Sequence, residues 1–172
     1  IQGYNDHVML WVRYIDDLFV IWRGSMASIR AFVNEINMNE INLQVTSNMS
    51  SREIDFLDVH IKVDLDTLVT SLHRKDTAGN TLLHARSAHP KSLLDSIPYG
   101  EMLRAKRNSS TESGYQTEKG IMSKRFRERG YSHKIINRAI RKADGVSRES
   151  LLKTKNKTDE IEERRVGKEC RL

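Results

Sequence analysis

The sequence predicts an α+β protein: a partial antiparallel sheet crossed by one helix, followed by a small bundle of helices. Three observations carry that expectation. Short runs of apolar, β-branched and aromatic residues fill the first half, beginning with HVMLWVRY (7–14) and LFVIW (18–22). No stretch rich in Pro, Gly or Ser interrupts them, so they read as one sheet-bearing unit. After Asn80 the texture changes to apolar positions at three-and-four spacing, punctuated by proline, serine and glycine.

The elements follow in order. Ile15-Asp16-Asp17-Leu18 carries the reversal between the first two runs, which makes a β-hairpin with two carboxylates at its tip. Ser25 caps a helix reaching about Asn37, because Met26, Ile29, Phe32, Val33 and Ile36 share one face. Residues 41–46 and 54–63 read as strands, and Leu68 to Arg74 as another. Pro90 and Pro98 each mark a first helical turn, since proline lacks the N–H that such a turn leaves unpaired. The helix begun at Pro98 turns Tyr99, Met102 and Leu103 inward and carries Arg104, Lys106 and Arg107 toward its end.

A longer helix from about Ser113 to Arg129 buries Tyr115, Met122 and Phe126 and stops at Gly130. Gly120 within it costs about 1 kcal/mol relative to alanine, so a kink or break is expected there. Ser132 caps a last helix carrying Ile135, Ile136, Ala139, Ile140 and Ala143, ended by Gly145. The expected organisation is a sheet unit at 1–79, a helical domain at 80–146 and a polar tail at 147–172. Within the tail, EERRVGKEC (162–170) resembles the in-frame translation of a sequencing-library adapter, so 162–172 are set aside from fold reasoning.

Composition narrows the function. One cysteine excludes an internal disulfide and a Cys-based zinc cage. No apolar run approaches the roughly 18–20 residues that cross a bilayer, and no leader opens the chain. The expectation is a soluble, intracellular chain that starts inside a longer protein and has no membrane partner. The net charge of +6 is unevenly placed. Residues 1–80 hold 7 Lys/Arg against 11 Asp/Glu, whereas residues 81–172 hold 22 against 12. From Arg104 to Lys142 the balance is 12 basic to 3 acidic, which suggests a polyanion partner for the helical half. A solvated helical surface is the plain alternative.

Tyr14-Ile15-Asp16-Asp17 is the sharpest chemical signal. Adjacent carboxylates at a tight turn repel each other unless a cation neutralises them, and Mg²⁺ takes one or two carboxylates together with substrate phosphates. For an isolated pair, the commoner reading is that aspartate forms turns well. His60, His73, His84 and His89 lack the carboxylate or cysteine spacing of a metal site and read as ordinary histidines. Asp55, Asp58, Asp64 and Asp66 lack the glycine of a calcium loop and read as solvent-facing strand positions.

Context changes the weight of the carboxylate pair. WVRYIDDLFVIWRGS, the helix after it and IDFLDVHI resemble, in order, the distal part of a reverse transcriptase palm. TSLHRKDTAGNTLLHARSAHPKSLLDSIPYGEMLRAKRNSS, then KRFRERGYSHKIINRAIRKA and RESLL, are similar to the reverse transcriptase of Penelope-like retroelements. The helical half also resembles the animal helix-turn-helix domain. The likeness extends over about residues 8–153. It implies an RNA-directed DNA polymerase working in the nucleus with Mg²⁺, an RNA template, a DNA primer or duplex, and deoxynucleotides.

The same resemblance implies individual roles. Asp16 is then the metal ligand of the hairpin, Asp17 its second carboxylate, and Tyr14 a neighbour of nucleotide or template. Phe56 and Leu57 support the primer end, and His73, Arg74 and Lys75 touch the duplex backbone, although Asp76 stands where proline is expected. The helical half is thumb-like, with Arg104, Lys106, Arg107, Lys124, Arg125, Arg127 and Arg129 as phosphate contacts. A helix-turn-helix reading instead sends a helix from Lys134 to Lys142 into a major groove. Backbone contact ranks above base readout here, because no distinct set of base-reading side chains stands out. A complete two-metal site needs a further aspartate on an earlier strand, so this chain is expected to be inactive alone. Two other readings remain: a non-enzymatic nucleic-acid-binding module, and a retroelement relic without function.

Overall fold

The computed structural model describes residues 3–40, 42–75 and 79–153. Asp76 and the segment 162–172 lie outside the described residues. The chain divides into two compact units, Ile1–Arg74 and Lys75–Leu172, and the architecture is α+β as expected.

The first unit holds two small antiparallel sheets and one helix. Strands β1 (Val8–Tyr14) and β2 (Asp17–Trp22) pair with Tyr14 opposite Asp17, so Ile15 and Asp16 alone make the turn. Helix α1 (Met26–Asn37) starts where expected. The Ser25 side chain accepts from the Ser28 N–H at 3.1 Å, which satisfies one of the donors left over at a helix start. Gly24 takes φ +150° just before this cap, and a Cβ there would come within 2.8 Å of the Ser28 hydroxyl. Phe32 on α1 is buried among Tyr4, Trp11 and Trp22, with ring centroids 5.0, 6.1 and 4.9 Å away. This aromatic cluster holds the helix against the hairpin.

Two expected strands differ. Residues 42–46 form no strand, because asparagine side chains take over the pairing. The Asn37 amide accepts from the Val45 N–H at 2.7 Å and donates to its carbonyl at 3.0 Å. Asn39 brackets Leu43 in the same way, at 3.0 and 2.7 Å. Side-chain amides that satisfy the backbone locally remove its need for a sheet partner.

The run 54–63 is a hairpin rather than one strand. It divides into β3 (Glu53–Phe56) and β4 (Val59–Asp64), and β4 then pairs with β5 (Thr67–Leu72). Leu57 (φ 54°) and Leu65 (φ 52°) make the two reversals, occupying backbone positions that usually take glycine or asparagine. Phe19 of β2 meets Phe56 of β3 at 5.3 Å between ring centroids.

In the second unit, helix α2 (Lys91–Asn108) runs straight through Pro98. The expectation of a separate helix at each proline is thus corrected. Pro98 is buried beside Leu94, Met102 and Ala105 on the inward face, and that packing outweighs the hydrogen bond its missing N–H forfeits. Helix α3 (Glu112–Glu128) continues unbroken past Gly120. The chain reverses at Gly130 (φ +78°), where a Cβ would crowd the His84 ring at 3.3 Å.

Helix α4 (His133–Asp144) begins at its Ser132 cap and packs on α2 and α3. Met102, Met122, Phe126, Tyr131, Ile136 and Ala143 form the core of this unit. A short helix α5 (Arg148–Leu152), capped by Ser147, stands where a polar tail is expected.

Candidate functional site

The carboxylate hairpin belongs to the first unit. Ile15 sits at φ 54°, a left-handed conformation that a β-branched residue avoids at a cost of about 1–3 kcal/mol. Its side chain is 71% exposed, so packing does not reward the strain. The Arg13 Nε–H ties the turn by donating to the Ile15 carbonyl at 2.8 Å. Asp16 and Asp17 are exposed, and neither carboxylate has a hydrogen-bond or ion-pair partner among the described residues. Tyr14 is 56% exposed beside them.

Strain at Ile15 alone does not mark function, because Leu57-Asp58 and Leu65-Asp66 repeat the pattern of an aliphatic residue at positive φ followed by aspartate. What sets the first turn apart is that its two carboxylates, Asp16 and Asp17, are adjacent, whereas Asp64 and Asp66 flank Leu65. Among the described residues no three His, Cys, Asp or Glu side chains gather to hold a metal ion. Asp16 and Asp17 therefore fit Mg²⁺ only as two of its oxygen ligands, the rest coming from water, phosphate or another carboxylate.

The second sheet joins residues that look scattered in sequence. Asp55 stands opposite His60 across the β3–β4 pair. The carboxylate lies 2.7 Å from His60 Nδ1 and 3.1 Å from His73 Nδ1. Both imidazoles thus address one carboxylate oxygen, and the signal for this lay in the unrecognised turn at Leu57-Asp58. Arg74, beyond β5, is half-buried, and Lys75 is exposed.

On the helical unit the basic candidates fall into two groups. Arg104, Arg107, Lys124, Arg127 and Lys134 are exposed. Lys106, Arg125 and Arg129 are half-buried and engaged with the fold. The Lys106 ammonium donates to the carbonyls of Ala143 (3.2 Å) and Asp144 (3.1 Å), capping the end of α4. Arg125 Nη2 donates to the Gly79 carbonyl at 3.2 Å. Arg129 closes α3, with its Nε buried.

Tyr115, buried beneath Lys106 and Lys119, donates its hydroxyl to Asp144 at 2.9 Å. Burial first, and then the Asp144 carboxylate, push its phenol well above the ordinary range. Lys119 pairs with the same carboxylate at 3.2 Å. The acid that ends α4 is thereby neutralised from within.

What remains on the outside of α4 is basic or polar. Ile136, Ala139 and Ala143 are buried, and His133, Lys134, Asn137, Arg138, Arg141 and Lys142 are exposed. Four residues, 129–132 with Gly130 among them, join α3 to α4, the short connection of a helix-turn-helix.

The animal helix-turn-helix domain matches residues 81–141. The helix-turn-helix match takes in α2, α3 and most of α4, and it leaves the sheet unit outside. Searches against curated proteins and against solved structures return no match. Sequence reasoning passed over Asn137, Arg138 and Arg141, although the inward spacing of Ile136, Ala139 and Ala143 already assigns them to the outer face. No helix among the described residues is long and apolar enough to cross a membrane.

Proposed function

We propose that the helix-turn-helix domain binds the phosphate backbone of double-helical nucleic acid. The observation that carries this reading is the outer face of α4, where His133, Lys134, Asn137, Arg138, Arg141 and Lys142 stand exposed and Asp144 is already paired. Arg104, Arg107, Lys124 and Arg127 extend the positive charge over α2 and α3. Each phosphate they neutralise releases counterions, so affinity falls with salt at a log–log slope of about −0.9 per contact. The test removes charge by degrees. Lys134→Ala and Arg127→Ala each flatten that slope by about one contact. A slope unchanged in both variants overturns the assignment.

A second reading, favoured by the carboxylate hairpin, concerns the whole chain. It is that of a piece of a retroelement reverse transcriptase of Penelope-like type, acting in the nucleus on an RNA template, a DNA primer and deoxynucleotides. Two exposed, unpartnered carboxylates at a strained turn support it. So does β1, on which Met9, Leu10, Trp11 and Val12 are all exposed, a pattern suited to a strand inside a larger sheet.

In this reading Asp16 and Asp17 hold Mg²⁺, which supplies charge neutralisation for the phosphates in nucleotidyl transfer. Tyr14 lies beside the nucleotide, and Arg74 and Lys75 beside the duplex. In this reading a further carboxylate from the parental protein completes the site, since no three His, Cys, Asp or Glu side chains gather to hold a metal ion among the described residues. Primer extension tests the reading in the full parental protein. Asp16→Asn abolishes incorporation there, and retained activity contradicts the assignment.

A further inference from the structure

We infer that Glu53 and His60, on the polar face of the second sheet, bind Zn²⁺, with Asp55 and His73 as positioning residues. The inference is independent of the duplex-binding reading and of the carboxylate hairpin. It starts from strand register. Asp55 stands opposite His60 across β3–β4, and Ser71 stands opposite His60 across β4–β5. Side chains alternate between the faces of a strand, so Glu53 shares the face of Asp55 and His60. The other face carries Ile54, Phe56, Val59 and Ile61, with Phe56 packed on Phe19. The polar face is open to solvent: the side chains of Glu53, Asp55, His60 and His73 are 59, 47, 32 and 25% exposed.

Hydrogen-bond direction decides what this face can hold. An aspartate carboxylate only accepts, so the contacts of Asp55 to His60 Nδ1 (2.7 Å) and His73 Nδ1 (3.1 Å) place a proton on each of those nitrogens. In a neutral imidazole the other nitrogen, Nε2, is then an acceptor. His60 Nε2 faces Glu53 Oε2 at 3.8 Å, beyond hydrogen-bond length, so two acceptors meet across a gap. Lys62 stands opposite Glu53 and makes no ion pair with it among the described residues. A cation fits that gap. A carboxylate that holds Nδ1–H while Nε2 is offered outward is the arrangement that aims histidine at a metal. His73 holds the same Asp55 oxygen, and so fixes the carboxylate that aims His60.

Donor type selects the ion. Mg²⁺ and Ca²⁺ take oxygen ligands, whereas a nitrogen and oxygen pair suits Zn²⁺. Bonds of about 2.0–2.2 Å at a tetrahedral angle put the two donors about 3.4 Å apart, so the pair closes by about 0.4 Å on binding. The exposed Glu53 side chain is free to make that shift. No three His, Cys, Asp or Glu side chains gather there among the described residues, so water completes the coordination. Residues 1–80 hold 7 Lys/Arg against 11 Asp/Glu, and that excess of acid favours a cation over an anionic ligand.

The experiment titrates ZnCl₂ calorimetrically, at neutral pH, into the full 172-residue chain carrying C170S, which removes its one thiol. The expected result is one Zn²⁺ per chain, undisturbed by excess Mg²⁺. H60A and E53Q each remove it. Glu53 is exposed, so E53Q keeps the fold, which circular dichroism checks. D55A and H73A leave both ligands in place and weaken binding by about ten- to hundredfold. H84A and H89A, in the other unit, leave it unchanged. Absence of zinc binding means that His60 carries a second proton and bridges two carboxylates, which overturns the site. Binding that survives E53Q and H60A, or that follows His84 and His89, overturns its location. Equal competition by Mg²⁺ overturns the choice of ion, and D55A and H73A without effect overturn the positioning role.

Discussion

Replacing Lys106 with methionine separates two roles that charge counting merges. The ammonium caps α4 through the carbonyls of Ala143 (3.2 Å) and Asp144 (3.1 Å), and lies 5.2 Å above the Tyr115 ring. Hydrogen bonds from a charged donor contribute about 1.5–3 kcal/mol, and partial exposure places this pair at the lower end. The cation over the ring adds about 0.5–1 kcal/mol. Methionine keeps the buried stem and removes only these polar terms, so the expected loss is about 2 kcal/mol.

At about 4–8 °C per kcal/mol for a unit of this size, the helical transition falls by about 8–16 °C. The assays are thermal unfolding followed by circular dichroism at 222 nm, a standard helix wavelength, and duplex titration well below the transition. The salt slope is expected to stay unchanged, because the ammonium is already committed to α4. A variant of unaltered stability whose slope drops by about 0.9 would show that Lys106 contacts phosphate and that the capping argument is wrong.

Three further predictions bear on single features. Ile15→Gly relieves the left-handed strain at the carboxylate turn and raises the stability of the sheet unit by up to about 1 kcal/mol, after glycine's own entropic cost; a destabilised variant contradicts the strain. Gly120→Ala meets nothing within 4 Å, so it stabilises α3 by about 1 kcal/mol; a lower melting temperature would show that the helix needs the glycine. For Tyr115, a phenol raised in the folded state binds its proton more tightly there than in the unfolded chain. Its contribution is complete below the unfolded pKa of about 10 and is lost as pH rises beyond it. Stability of the wild-type chain thus declines more steeply in that range than that of Tyr115→Phe, and parallel profiles would refute the coupling.

The first hairpin, α1, α3 and α4 are legible in the sequence because each carries its own local signal: two apolar runs around an aspartate turn, then Ser25, Gly130 and Ser132 at helix ends. What escapes is decided elsewhere. Pro98 reads as a helix start, yet the core beside Leu94 and Met102 keeps it inside α2. Leu57 hides a turn within an apolar run because its positive φ leaves no mark in composition. Asn37 and Asn39 replace strand pairing at 43–45 through side chains that no periodicity registers.

The candidate site divides along the same line. The carboxylates of Asp16 and Asp17 are visible as a motif. That Lys106 and Arg125 serve the fold while Arg104 and Lys124 face solvent emerges only from packing. The meeting of His60 and His73 at Asp55 likewise depends on strand register. The outer stripe of α4 lies between these cases, since helical period assigns its face and only the pairing of Asp144 shows that face to be free of competing acid.

The most direct test of the central claim is a titration of labelled duplex DNA with the full chain across a range of salt, with and without chelator. The account predicts a straight log–log decline of affinity with a slope of about −3 to −5, the same with chelator and in Asp16→Asn, because lysine and arginine need no metal to hold phosphate. Affinity that is flat with salt, or that disappears with chelator, contradicts it.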